Sequence, residues 1–61
     1  MNRYEVFKVA DKSTPTYLGG ANHLTIAIDM MNRMAVRIPG AYFVLNSSTQ
    51  EVVASLPIDS V

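Results

Sequence analysis

The stretch Ala41-Tyr42-Phe43-Val44-Leu45-Asn46-Ser47-Ser48-Thr49-Gln50-Glu51-Val52-Val53-Ala54-Ser55-Leu56 decides the fold. Two runs of aromatic, β-branched and aliphatic residues enclose a polar segment, the pattern of an antiparallel β-hairpin. A loop from Ser47 to Gln50 places Leu45 opposite Val52 and Phe43 opposite Ala54, so that these residues share a face with Ala41 and Leu56. That face is uniformly apolar and is expected to lie in the core. The other face then carries Tyr42, Val44, Glu51, Val53 and Ser55. A solvated antiparallel sheet alternates apolar with polar residues, so a second face this apolar needs a cover of its own.

Upstream, from Asn22, the period changes. Leu24, Ala27, Ile28, Met31, Ala35 and Ile38 recur at spacings of three and four, which gathers them into one stripe of an α-helix. Asn22 has the side chain of an N-cap, able to accept from the free amides of the first turn. Asp29 and Arg33 are spaced to pair on an exposed face, with the acid nearer the N-terminus. Arg37 complements the negative end of the helix dipole, and Ile38-Pro39-Gly40 ends the helix because a residue before proline is pushed out of the helical region. The expected helix, residues 22–37, spans roughly 24 Å, enough to cross three or four strands set ~4.8 Å apart.

Before the helix, Arg3 to Ala10 alternates Tyr4, Val6 and Lys8 with Glu5, Phe7 and Val9, which predicts a first strand. Asp11-Lys12-Ser13-Thr14-Pro15 is a cluster of turn formers, Thr16-Tyr17-Leu18 a short second strand, and Gly19-Gly20 its end. The order strand, strand, helix, strand, strand predicts an α+β fold: one ββαββ domain over residues 1–61, with a four-stranded, mostly antiparallel sheet and one helix on one face. The order of strands within the sheet is left open by this pattern, and Pro57-Ile58-Asp59-Ser60-Val61 is expected to be a frayed tail.

With 61 residues the core is thin, since a domain of this size buries only about 60% of the surface its unfolded chain exposes. Small domains add disulfides, a metal or an oligomeric contact, and this chain has no cysteine and one histidine, His23. Oligomerisation is the remedy left. Hydrophobic residues make up 49% and charged ones 16%, which argues against disorder and leaves few ionic groups to mask an apolar face. Five basic residues balance five acidic ones, so the basic excess of a nucleic-acid binder is missing. No apolar run reaches the ~18 residues of a membrane span, and no apolar core of signal-peptide length follows Met1-Asn2-Arg3-Tyr4-Glu5. A soluble, cytoplasmic protein is expected.

The chemistry-bearing residues are sparse, and no catalytic, cofactor or metal site is expected. His23 lacks the further ligands that a zinc site needs, and no serine stands in a nucleophile motif beside it. Gly19-Gly20 precedes a helix but matches neither G-x-x-x-x-G-K-[ST] nor G-x-G-x-x-G, so it reads as a turn rather than a phosphate cradle. Of the methionines clustered in the helix, Met31 and Met34 fall on or beside the apolar stripe. Ile26 and Met30 point away from it, next to Arg33 and Arg37, and together form a possible secondary contact patch.

The leading expectation is therefore a non-enzymatic interaction domain that forms a homodimer through the sheet face or edge not covered by the helix. Its interface candidates are Tyr4, Val6, Tyr42, Val44 and Val53. One alternative uses the same face, with Tyr17, Arg3 and Lys8, to stack single-stranded nucleic acid, against the balance of charge. Another docks a heterologous protein as an accessory or regulatory factor.

Overall fold

The structure, a computed structural model, describes residues 3–10 and 14–56. The start of the expected turn, Asp11-Lys12-Ser13, and the tail from Pro57 to Val61 lie outside the described residues. The elements are β1 (Tyr4–Lys8), β2 (Thr16–Ala21), α1 (Leu24–Arg37), β3 (Tyr42–Asn46) and β4 (Glu51–Leu56). The fold is α+β with the order ββαββ. One antiparallel sheet has the strand order β2-β1-β3-β4, and α1 lies across one face. Because β2 and β3 both run antiparallel to β1 between them, they run parallel to each other and need a crossover, which α1 supplies.

The helix begins two residues later than its period implied. His23, not Asn22, occupies the N-cap, with extended backbone (φ −124°, ψ 138°), and its carbonyl accepts the first helical bond from the Ala27 amide at 3.1 Å. Neither residue's side chain caps, and a one- or two-residue drift at a helix end is ordinary. At the other end Ile38 turns extended before Pro39, as the residue preceding proline must.

The second strand is longer than expected. Gly19 and Gly20 continue it through to Ala21, with no positive φ at either, so the pair does not turn the chain. Gly19 is instead a site of close approach: a Cβ there would stand 3.0 Å from the Met30 Cε, and the missing side chain lets Met30 lie down on the sheet.

The final hairpin has the expected loop. Asn46 pairs with Glu51 around Ser47 to Gln50, and Leu45 lies opposite Val52. The Asn46 side chain accepts from the amides of Ser48 (2.9 Å) and Thr49 (3.3 Å), the Gln50 amide donates to the Asn46 carbonyl, and Gln50 takes a left-handed backbone, φ 62°, on the way into β4. Beyond Val52 the register slips. Val44 faces Ala54 and Phe43 faces Ser55, so Val53 is an extra, bulged residue rather than a regular member of either face.

The bulge accompanies a larger correction, the exchange of the two faces of β3. Tyr42 (1% exposed), Val44 (0%) and, across from it on β1, Val6 (0%) lie under the helix with Ala21, Ala27 and Met31. Tyr4 and, beyond the bulge, Ala54 and Leu56 pack against the same core. Phe43 and Leu45 are on the other side. The hydroxyl of Tyr42 supplies a physical reason: it donates to the Ile38 carbonyl, with the Met34 carbonyl 3.4 Å away, and so satisfies an acceptor that the end of α1 leaves free. The Lys8 ammonium, 5.8 Å from the centre of the Tyr42 ring, covers it from the side.

Candidate functional site

Pairing across the sheet assembles the open face row by row. Tyr17, Phe7, Phe43 and Ser55 stand opposite one another on β2, β1, β3 and β4. Phe43 stacks on Phe7 with ring centres 5.1 Å apart and 14° between planes, and Tyr17 meets Phe7 edge-on at 5.6 Å and 65°. These are favoured aromatic geometries, and they build a continuous strip of ring across three strands. The next row runs Gly20, Glu5, Leu45, Val52. Val9 lies two residues beyond Phe7, and its amide donates at 2.8 Å to the carbonyl of Ala41, the residue before β3.

No lysine or arginine belongs to either row, and Glu5 is the one charged side chain in them. Lys8 is engaged on the helix side, and Arg33 is paired with Asp29 at 2.9 Å on the outer surface of α1. Tyr17 (53% exposed) and Val52 (58%) are strongly exposed, while Phe7, Phe43 and Leu45 are half-buried by their neighbours. An apolar strip rimmed by polar groups is the surface character of an interaction site.

The interface candidates read from sequence divide accordingly. Val6, Tyr42 and Val44 are core residues and Tyr4 packs beside them, so none of these offers an open surface. Val53 remains exposed, at the bulge of the edge strand. The residues that do form the open face, Phe7, Tyr17, Phe43, Leu45 and Val52, follow from the same alternation once the faces are exchanged. In the secondary patch, the structure draws Met30, Arg33 and Arg37 together around a cleft but leaves Ile26 out of it. Met30 also packs against the core, contrary to its expected outward position.

His23 is exposed at the start of α1, and no group of three or more histidine, cysteine or carboxylate residues that could hold a metal occurs among the described residues. No helix among them is long and apolar enough to cross a membrane. Comparison with known protein families, with curated proteins and with solved structures finds no match to this chain.

Proposed function

We propose that this chain is a non-enzymatic, cytoplasmic interaction domain that forms a homodimer by stacking its open sheet face on that of a second copy. The observation that carries the reading is the ring strip Tyr17–Phe7–Phe43 on a face that no element among the described residues covers. Two sheets packed face to face at ~10 Å are a standard way to bury such rows. Four strands at ~4.8 Å and five residues at ~3.3 Å project to roughly 19 by 17 Å, so stacking two such faces covers roughly 650 Å2 in projection, the scale of a weak, reversible contact.

The edges are poorer candidates. Each edge strand carries a bulge, at Leu18 in β2 and at Val53 in β4, and a bulge interrupts the row of free backbone groups that strand addition requires. The zero formal net charge puts no repulsion between copies, although Glu5 has to stay at a wet rim or meet a cation of the second copy.

The test is sedimentation equilibrium from 1 to 100 μM. A dimer mass with micromolar dissociation is expected, and Phe43→Ser is expected to return the protein to monomer with its circular dichroism retained. A monomer throughout overturns the reading. The ring strip also favours a second reading, the stacking of single-stranded bases, because aromatic rings on an open sheet suit any base. The missing cations count against it. Salt-sensitive binding of a single-stranded oligonucleotide by a monomeric protein decides for that reading, and a stoichiometric heterologous protein retained on purification decides for a mixed partnership.

A further inference from the structure

On the opposite side of the sheet a cleft of about 260 Å3 opens between β2 and α1, lined by Val6, Leu18, Met30, Met34, Arg33 and Arg37. Its origin is local. The bulge in β2 adds Leu18, which lines the cleft, and the absent Gly19 side chain lets Met30 lie down on the sheet as another of its walls. The walls are aliphatic and thioether groups, and methionine is the side chain that best adapts its shape to an apolar guest.

The mouth has a different chemistry. Arg33 and Arg37 stand one turn apart on α1 and both border the cleft. The ion pair with Asp29 engages Nε of Arg33, which leaves its outer amino groups as donors, and Arg37 has no acidic partner among the described residues. Two guanidinium groups over an apolar floor complement a molecule with one anionic end and one hydrocarbon end. The cleft's volume lies just under the ~300 Å3 at which ligand pockets usually begin, which suits a small guest with a short chain.

We propose that this cleft binds a small amphipathic anion, an alkyl carboxylate of medium length whose chain lies on Val6, Leu18, Met30 and Met34 and whose head group meets Arg33 and Arg37. The site faces away from the open sheet face and does not depend on dimer formation. Its occupant is recognised by two features at once, so each can be removed separately in the ligand.

The experiment follows the methyl resonances of Met30 and Met34 by NMR while octanoate is added below its micelle threshold. Saturable shifts of both methyls are expected, weakened about fivefold by Arg37→Gln, a change at an exposed residue that spares the core. Acetate should produce no such shifts and octylammonium should bind at least fivefold more weakly than octanoate. Equal binding of octanoate and octylammonium overturns the proposal, as does an Arg37→Gln variant with unaltered affinity. So does the absence of saturable methyl shifts, or shifts confined to the Phe7 and Phe43 rings, which would locate the amphiphile on the open face.

Discussion

Replacing Tyr42 by Phe removes a single oxygen and tests which face of β3 is inside. In the structure that oxygen donates to the Ile38 carbonyl, beside the Met34 carbonyl at 3.4 Å. A net hydrogen bond contributes ~0.5–1.5 kcal/mol, and stranding a shielded acceptor adds to the loss. Ile38 itself is half exposed, so water can reach its carbonyl in the variant, and the expected loss is about 1–1.5 kcal/mol. For a domain of this size that amounts to a fall in Tm of roughly 4–12 °C. Tyr42→Ala removes the whole buried ring and is expected to cost ~3–5 kcal/mol. At ~0.05–0.15 kcal/mol per residue the entire fold is worth only ~3–9 kcal/mol, so the alanine variant should be largely unfolded. The assay is urea unfolding at fixed protein concentration, with Phe43→Ala as the control. At a protein concentration below that of dimer formation, this open-face control loses mainly its stack on Phe7, about 1 kcal/mol. The reasoning is refuted if Tyr42→Phe leaves the midpoint unchanged, or if the Phe43 variant proves the more damaging of the two alanine substitutions.

Two further substitutions probe local geometry. Gln50→Gly relieves a left-handed backbone at φ 62° but forfeits the exposed bond from Gln50 Nε2 to the Ser47 carbonyl at 3.0 Å, so a net gain of about 0.5 kcal/mol and a Tm rise of a few degrees are expected. A lower Tm would mean that the loop needs the glutamine side chain more than the relaxed backbone. Gly19→Ala sets a methyl 3.0 Å from the flexible tip of Met30, which can swing aside, while alanine gains ~0.5–1 kcal/mol in strand entropy over glycine. Stability should hold or rise slightly in urea titration while octanoate affinity falls, and a loss above 1 kcal/mol would show that Met30 cannot move.

The sequence disclosed most of the fold because its strongest signals are periodic. The apolar recurrence from Leu24 to Ala35, the Ile38-Pro39 stop and the polar Asn46–Glu51 segment each yielded the right element, and the loop from Ser47 to Gln50 fixed the Leu45–Val52 pair. The open face was misread for two physical reasons. Side chains in a strand alternate with period two, so one bulged residue, Val53, is enough to move Ala54 and Leu56 from the side of Leu45 to the side of Tyr42. The other reason is that the carbonyl served by the Tyr42 hydroxyl belongs to the end of α1, and no local pattern around residue 42 reports it. Gly19 was misread as a turn because glycine marks close approach as readily as a bend, and only the position of Met30 distinguishes the two.

The exchange of faces itself bears on what the open face is for. For a solitary domain the cheaper arrangement puts Phe43 inside, where it loses no hydrogen bond, and Tyr42 outside, where its hydroxyl is wet. The chain does the reverse and leaves two phenylalanines stacked on the surface. Such an arrangement is favourable once the surface is covered, because phenylalanine can then be buried on both sides without an unpartnered polar atom. Phe43→Tyr turns this into a measurement. If the face is permanently wet, the added hydroxyl is hydrated and leaves both stability and association unchanged. If two copies stack there, two hydroxyls are buried for each dimer, at ~1–3 kcal/mol apiece where no acceptor is within reach. Two such losses, ~2–6 kcal/mol together, raise the dissociation constant by roughly 25-fold or more at 1.4 kcal/mol per decade. Sedimentation equilibrium at several concentrations reads that change directly, and an unaltered dimer constant would show that the Phe7–Phe43 stack lies outside the contact.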